Sequence, residues 1–525
     1  MSRKIVLYDT TLRDGTQGEH VNLSAEDKLR IARKLDEFGI HYIEGGWPGS
    51  NPKDARFFDM AGKVSFQTAR LTAFGSTRKA RTSVEEDDSI KALLNAEVES
   101  VTIFGKSWDI HATQILKVSL DENLAMIEET VSYLKTRGRE VIYDAEHFFD
   151  GYRNNSDYAM STIKAAVSGG ADVVVLCDTN GGTMPQDIEA AVKDVANHIS
   201  VPLGIHTHND CGLALANSLV AVGAGVNMVQ GTINGYGERC GNADLVAVIG
   251  NLQFKMGYEC VAPEKQAHLT ELSRFVSEVA NIPPLFQRPF VGKSAFAHKA
   301  GVHVSAILKN PSAYEHMDPS TVGNRRRVLV SDLSGKSNIE YKSRELGINL
   351  SDNTRDSKKI VQEIKRLEDQ GYQFEAAEGS LALLIKKAIG QFYEPFVLEN
   401  FRVTIEKNGS GASISHATVK ISVDHDQEIT AAEGDGPVNA LDNALRKALT
   451  KFFPDIQEMG LVDFKVRVID GSRGTASKVR VRIESRDQHD IWTTIGVSEN
   501  IIDASWQALV DSVQYKLSKG PNREN

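Results

Sequence analysis

The sequence predicts an α/β protein whose first half closes into a (β/α)8 TIM barrel, followed by helical linker subdomains and a C-terminal α+β regulatory domain with an internal βββα-like repeat. Eight short apolar runs alternate with eight amphipathic stretches between Ile5 and Met256. Polar, chemistry-bearing side chains recur at or just after the apolar runs. Beyond Tyr258 the alternation stops, and the pattern turns first mostly helical and then, from Phe401, to strands followed by one helix. Strands alternating with helices at about 30 residues per unit pair in parallel, and eight units in about 255 residues close a barrel. An open doubly wound sheet would usually carry a Gly-rich fingerprint after its first strand, and none stands there. The expected domains are residues 1–260, 261–395 and 396–525.

The units follow in order. IVLYD precedes a helix from Ser24 to Phe38, in which Ser24 is a good N-cap, Ile31, Leu35 and Phe38 share one face, and Gly39 is the stop. YIEGG precedes a helix over Pro52 to Ala61, ARLTAF one over Glu85 to Ala96, and SVTIFG one over Asp121 to Arg137. EVIYDAE is followed by a helix over Asp157 to Val167, DVVVLCD by Pro185 to His198, PLGIHTH by Leu213 to Val222, and NMVQGT by Ala243 to Met256. Glu264 to Ala280 reads as one more helix, NIPPLFQRPF as an irregular connector, and Ser294 to Tyr393 as mixed and mostly helical, with a basic run Arg325 to Arg327. In the last part, TVKISVDHDQEITAAEGDGPVNALDNALRKAL is echoed about 62 residues later by VRVRIESRDQHDIWTTIGVSENIIDASWQALVDSV. Each copy places strands, a glycine (Gly434 or Gly496) and an amphipathic helix in the same order, and the turn containing Gly436 opens a helix whose free N–H groups suit a carboxylate.

Bulk properties exclude several function classes. A net charge of -10 argues against a nucleic-acid surface as the main function. No run of apolar residues is long enough to span a membrane, and MSRK leads straight into a strand without the apolar run of a signal peptide. Cys177, Cys211, Cys240 and Cys260 lack C-x-x-C spacing and read as reduced thiols of a cytoplasmic chain.

In a barrel of this kind chemistry lies at the carboxyl ends of the strands. Arg13 and Asp14 follow the first strand; Glu44 ends the second and Glu146 the fifth; Thr179 follows the sixth; His206 and His208 lie at the seventh and Asn242 after the eighth. His206 and His208, at i and i+2 of a strand, present both imidazoles on one face. With Asp14, and with the Asn242 carbonyl as a possible fourth donor, they make a divalent-metal site. A 2-oxo acid would fill two open positions with its keto and carboxylate oxygens, and Arg13 would stabilise the alkoxide that develops on attack. Strand histidines that merely hydrogen-bond are the alternative for H-x-H alone.

The blocks LYDTTLRDGTQ, GIHTHND, NGYGERCGNADL and AFAHKAGVHVSAILKNPSAYEHMDP, in this order, resemble the signatures of the 2-isopropylmalate, homocitrate and citramalate synthase family. The resemblance spans essentially the whole chain. It implies a divalent metal (Mn2+, Zn2+ or Mg2+) on Asp14, His206, His208 and Asn242, with acetyl-CoA as co-substrate. It further implies Arg13 as the electrophilic group, Thr179 on the oxo acid carboxylate, His303 as the base that takes the methyl proton with Glu146 assisting, and Tyr314 near the thioester in hydrolysis. His298 is the competing base, read as a packed histidine. The C-terminal part resembles an allosteric domain binding an end-product amino acid, isoleucine if the oxo acid is pyruvate, around Gly434, Gly436 and Gly496. A homodimer is implied, with His303 completing the neighbour's site.

EGGWPGSNPKD and YDAEHFFDGY resemble the group of this family that acts on pyruvate. Trp47 and Phe104 would crowd a branched substrate, Glu44 and Asp144 would line the substrate site, and Asp144 would repel the distal carboxylate of 2-oxoglutarate. Alternatives are a 2-isopropylmalate synthase acting on 2-oxoisovalerate, a metal-dependent pyruvate lyase or aldolase, and a catalytically silent amino-acid sensor.

Overall fold

The computed structural model describes residues 3–350, 354–407, 409, 411 and 413–519. It divides into two compact units, Met1–Phe296 with Asp318–Arg325, and Ala297–Met317 with Arg326–Asn525.

In the first unit eight strands close a parallel barrel: β1 (Val6–Asp9), β2 (Tyr42–Gly46), β3 (Arg70–Ser76), β4 (Ser100–Lys106), β5 (Glu140–Glu146), β6 (Val173–Asp178), β7 (Leu203–Thr207) and β8 (Met228–Gly231). Closure is set by β1 pairing in parallel with both β2 and β8. The expected order of strands and return helices holds throughout the barrel. Side-chain caps start many of the helices: Ser24 forms a capping box with Asp27, and Asn51, Ser119 and Asn155 each accept a backbone N–H three residues on. The barrel interior is packed by Tyr8, Ile142, Val173, Val175, Cys177 and Met228, which form a floor beneath the polar rim.

Three local readings change. The third return helix spans Asp88–Asn95, because the Asp87 carboxylate accepts from the N–H groups of Ser89 and Ile90 and so caps it later than expected. A separate helix, Phe148–Asn154, follows β5 before the return helix Ser156–Gly169 begins. The expected single helix over Glu264 to Ala280 is two, Pro263–Gln266 and Leu269–Val279. Among the described residues no helix is long and apolar enough to cross a membrane.

The second unit begins with β9 (Ala297–His298), paired with β10 (Arg327–Val328), and the helix Gly301–Lys309. The helices Lys336–Glu345, Thr354–Asp369 and Glu378–Ala388 pack around Ile339, Ile360, Ile364, Phe374 and Ile385. The repeat then takes the predicted form. Strands β11 (Val397–Lys407), β12 (Ser413–Val423) and β13 (Asp426–Gly434) make one antiparallel sheet before the helix Pro437–Thr450; β14 (Gly460–Val468), β15 (Val479–Arg486) and β16 (Ile491–Ser498) make the other before Ile501–Leu517. Both halves feed one core that joins Val419, Ile421, Leu441 and Leu445 to Trp492, Trp506 and Val513.

Candidate metal centre and active site

After β1 the chain folds back on itself: the N–H groups of Arg13 and Gly15 donate to Thr10 O at 3.1 and 3.0 Å, and Thr11 is tied to Asp9 through its N–H and hydroxyl. This turn carries Asp14 into the barrel mouth, where its carboxylate is 2% exposed. The two imidazoles arrive from β7 as the i, i+2 spacing predicts. Asp14 Oδ2 lies 3.3 Å from His206 Nε2 and 3.9 Å from His208 Nε2, and the two Nε2 atoms are 3.1 Å apart. One donor atom from each of the three residues fits within a sphere of metal-site size. Asn242, bridged to His208, donates Nδ2 to Tyr236 O at 3.2 Å and leaves Oδ1 buried without a partner. Gly237 makes that approach possible, since a Cβ there would stand 2.4 Å from Asn242 Nδ2.

The electrostatics suit a cation. Burial opposes ionisation of Asp14, but Arg13 and His206 outweigh it and hold the carboxyl well below its usual range. Burial also opposes charge on His206, yet the Asp14 carboxylate raises its pKa above the ordinary value. His208, desolvated and beside His206, is pushed down to about 3 and stays neutral, so it keeps a nitrogen lone pair for an ion. Nitrogen lone pairs, a carboxylate and an unpartnered amide oxygen form a donor set that fits a divalent ion.

Arg13 stands beside this centre, in an ion pair with Glu44 and with Nη1 3.6 Å from Asp14 Oδ1. Glu44 is fixed in turn by Tyr8, whose hydroxyl donates to it at 2.9 Å and lies 2.7 Å from Thr102 Oγ1. Across the mouth Glu146 is ion-paired with Lys106. The Thr179 hydroxyl accepts the N–H of His147 at 2.9 Å. Asp144 accepts from Gln230 Nε2 at 2.9 Å, and burial pushes its pKa up to about 7. Trp47, Phe74 and Phe104 form an aromatic box, with Phe74 stacked on Phe104 at 5.3 Å and Trp47 edge-on to both.

In the second unit His303 and Tyr314 stack on each other, ring centroids 4.2 Å apart, and both are exposed. His298 is engaged elsewhere: its Nε2 lies 3.1 Å from Glu315 Oε1, and Glu315 also takes a two-pronged bond from Arg326 at 2.6 Å each. Gly434 and Gly496 occupy equivalent places in the two halves, where a Cβ would come within 2.4 Å of Ala440 N and 2.0 Å of Ala504 O. Close strand-helix packing accounts for the glycine at each. Gly436 caps the helix Pro437–Thr450.

Sequence reasoning overlooked Lys106, Phe74 and Gln230. Lys106 ends β4, so the rim rule applied to that strand would have found it. Phe74 shares the strand parity of Thr72 and stacks on Phe104, its diagonal neighbour on β4, one side-chain step beyond its register partner Thr102. Gln230 stands directly beside His206 in the β7–β8 register, information that only strand pairing supplies.

Residues 4–276 match the HMGL-like family, 290–372 the homocitrate synthase post-HMGL domain-like family, and 375–517 the LeuA allosteric (dimerisation) domain. The chain is 54% identical to the (R)-citramalate synthase of Aquifex aeolicus (strain VF5) over 521 residues, 99% of each chain. It is 48% identical to the (R)-citramalate synthase of Streptomyces coelicolor over 97% of this chain and 96% of that one. The probable 2-isopropylmalate synthase of Methanopyrus kandleri is more distant, 32% identical over 98% of both. The similarity runs along the full length of these (R)-citramalate synthases, the barrel matches the HMGL-like family, and the chain belongs to the (R)-citramalate synthases of that family.

Proposed function

We propose that the protein condenses acetyl-CoA with pyruvate and water to give citramalate and CoA, in the biosynthesis of isoleucine. The observation that carries this reading is the convergence of Asp14, His206 and His208 beside Arg13. A divalent ion held by these three residues and Asn242 would polarise the 2-oxo group of the substrate. Arg13, partly buried and fixed by Glu44, meets the negative charge that develops on the keto oxygen as the new carbon-carbon bond forms. In this reading a homodimer brings His303 of one chain to the other chain's barrel, where it takes a proton from the thioester methyl group with Glu146 assisting, and the enolate carbon attacks C2 of pyruvate. Water then cleaves the thioester near Tyr314, releasing CoA. Thr179 receives the pyruvate carboxylate. The Trp47, Phe74 and Phe104 box supports a small substrate over one with a branched side chain.

The match of residues 375–517 to the LeuA allosteric (dimerisation) domain supports a homodimer under amino-acid control, with isoleucine the expected effector. A cytoplasmic location completes the reading and accords with four free cysteines. The test is thiol release from acetyl-CoA with pyruvate, 2-oxobutyrate, 2-oxoisovalerate or 2-oxoglutarate, each with and without isoleucine. Pyruvate is expected to give the highest kcat/KM; a clear preference for 2-oxoisovalerate overturns the assignment in favour of 2-isopropylmalate synthesis.

A further inference from the structure

The two histidines of the centre are not equivalent. His206 Nδ1 lies 2.9 Å from Gln230 Oε1, and Gln230 Nε2 donates to Asp144 Oδ1 at 2.9 Å. All three side chains are at least 95% buried, His206 at 5%, Gln230 at 0% and Asp144 at 4% exposure. His208 Nδ1, by contrast, is buried with no partner. The three linked residues come from β7, β8 and β5, so the chain of bonds crosses the barrel interior directly beneath the rim.

The direction of the chain follows from donor and acceptor chemistry. A carboxylate oxygen accepts, so the amide turns its NH2 to Asp144 and its carbonyl oxygen to the histidine. The imidazole must then keep a proton on Nδ1, so Nε2, which faces Asp14 and His208, is the nitrogen left to give up its proton and ligate an ion. We infer that Gln230 is a positioning residue that fixes the tautomer and ring orientation of His206 and passes the polarity of the Asp144 carboxylate to the metal ligand. This rests on the reading of the centre as a metal site. It assigns Asp144 a role within the protein framework beside the one expected for it at the substrate, because one of its oxygens is already engaged. Outer partners of a ligating histidine commonly set metal affinity by about 10–100-fold.

The test is Mn2+ binding to the full-length protein by electron paramagnetic resonance, with circular dichroism as the check on folding. Gln230→Met keeps the shape and removes both polar ends, and is expected to weaken Mn2+ binding by about 10–100-fold. In Gln230→Glu combined with Asp144→Asn the donor and acceptor exchange places along the second link while a carboxylate oxygen still accepts from His206 Nδ1. That double variant is expected to bind Mn2+ within about 3-fold of the parent, a recovery that simple repair of packing would not produce. Binding by Gln230→Met within about 2-fold of the parent, or a double variant no better than Gln230→Met, overturns the inference. Should Gln230→Met not fold, Asp144→Leu alone is read instead, because it removes the acceptor that orients the Gln230 amide, and unchanged affinity there has the same force. His206→Ala is run in parallel: if it too binds Mn2+ like the parent, the metal reading itself fails, whereas loss in His206→Ala with none in Gln230→Met refutes only the role of Gln230.

Discussion

Arg13 lays its guanidinium over the Phe74 ring, 3.8 Å from the centroid, while Glu44 holds its edge. The stack and the ion pair together leave the group one orientation, and partial burial limits the water that would otherwise screen it. Lysine offers a point charge with no plane to stack. Arg13→Lys is therefore expected to lower kcat by about 10²–10³-fold with Mn2+ affinity little changed. Equal losses in metal binding and turnover would show that Arg13 serves the centre's structure instead of the developing charge.

Phe74 also belongs to the aromatic box, so the same surface that orients Arg13 limits the substrate. Trp47→Ala is expected to shift the ratio of kcat/KM for 2-oxoisovalerate over pyruvate upward by about 10–100-fold, the value of one or two methylenes of space. An unchanged ratio would place substrate selection elsewhere in the barrel.

The Trp47 loop depends on a buried ion pair that no sequence pattern announces. Lys28, 1% exposed, pairs with Asp54 and donates to Gly45 O at 3.2 Å, while Asp54 accepts the N–H of Trp47 at 2.9 Å. Gly46 is needed there, at φ 148° and with any Cβ placed 2.4 Å from Asp54 Cγ. Asp54→Ala strands a buried ammonium and is expected to cost about 3–5 kcal/mol in urea unfolding. Adding Lys28→Met should recover most of that loss; a double variant as unstable as the single one would mean that the charge is not the cause.

These examples mark what the sequence makes legible. The barrel is visible because strand and helix periods alternate, and Asp14, His206 and His208 are visible because a closed barrel gathers strand ends at one rim. The i, i+2 spacing even sets their common face. Partners that meet across the sheet are different: Gln230 beside His206, or Phe74 beside Phe104, depend on strand register. Lys28 with Asp54 depends on a helix packing over a loop. Neither is encoded in local spacing. The split of the expected helix over Glu264 to Ala280 is a boundary that periodicity alone does not mark.

Chelation should abolish activity if the centre holds a divalent ion, and adding back Mn2+, Mg2+ or Zn2+ in turn should restore it to different extents. Asp14→Ala is expected to lose both activity and metal while keeping the circular dichroism of the parent. Turnover retained in Asp14→Ala would remove it from the ligand set.

A half-buried histidine and a buried carboxylate, neither of them a proposed ligand, should give the stability of the barrel opposing slopes with pH. His41 Nδ1 accepts the N–H of Leu7 at 3.1 Å, and burial, with Lys4 adding to it, pushes its pKa down to about 4 from 6.5. Between pH 4 and 6.5 the unfolded chain therefore binds a proton that the folded chain refuses, and stability falls as pH falls. Asp9 is the reverse. Burial raises it to about 7 from 3.8 despite its bonds from Thr11, so across that window the folded chain holds a proton the unfolded chain has lost, and stability falls as pH rises. His41→Asn retains an acceptor at the Nδ1 position but does not titrate; Asp9→Asn keeps the shape without the charge. In urea midpoints measured at pH 5 and pH 7, the first variant should lose part of the parent's acid destabilisation and the second should exaggerate it. Shifts of the same sign in both variants would mean that neither group sets the pH dependence.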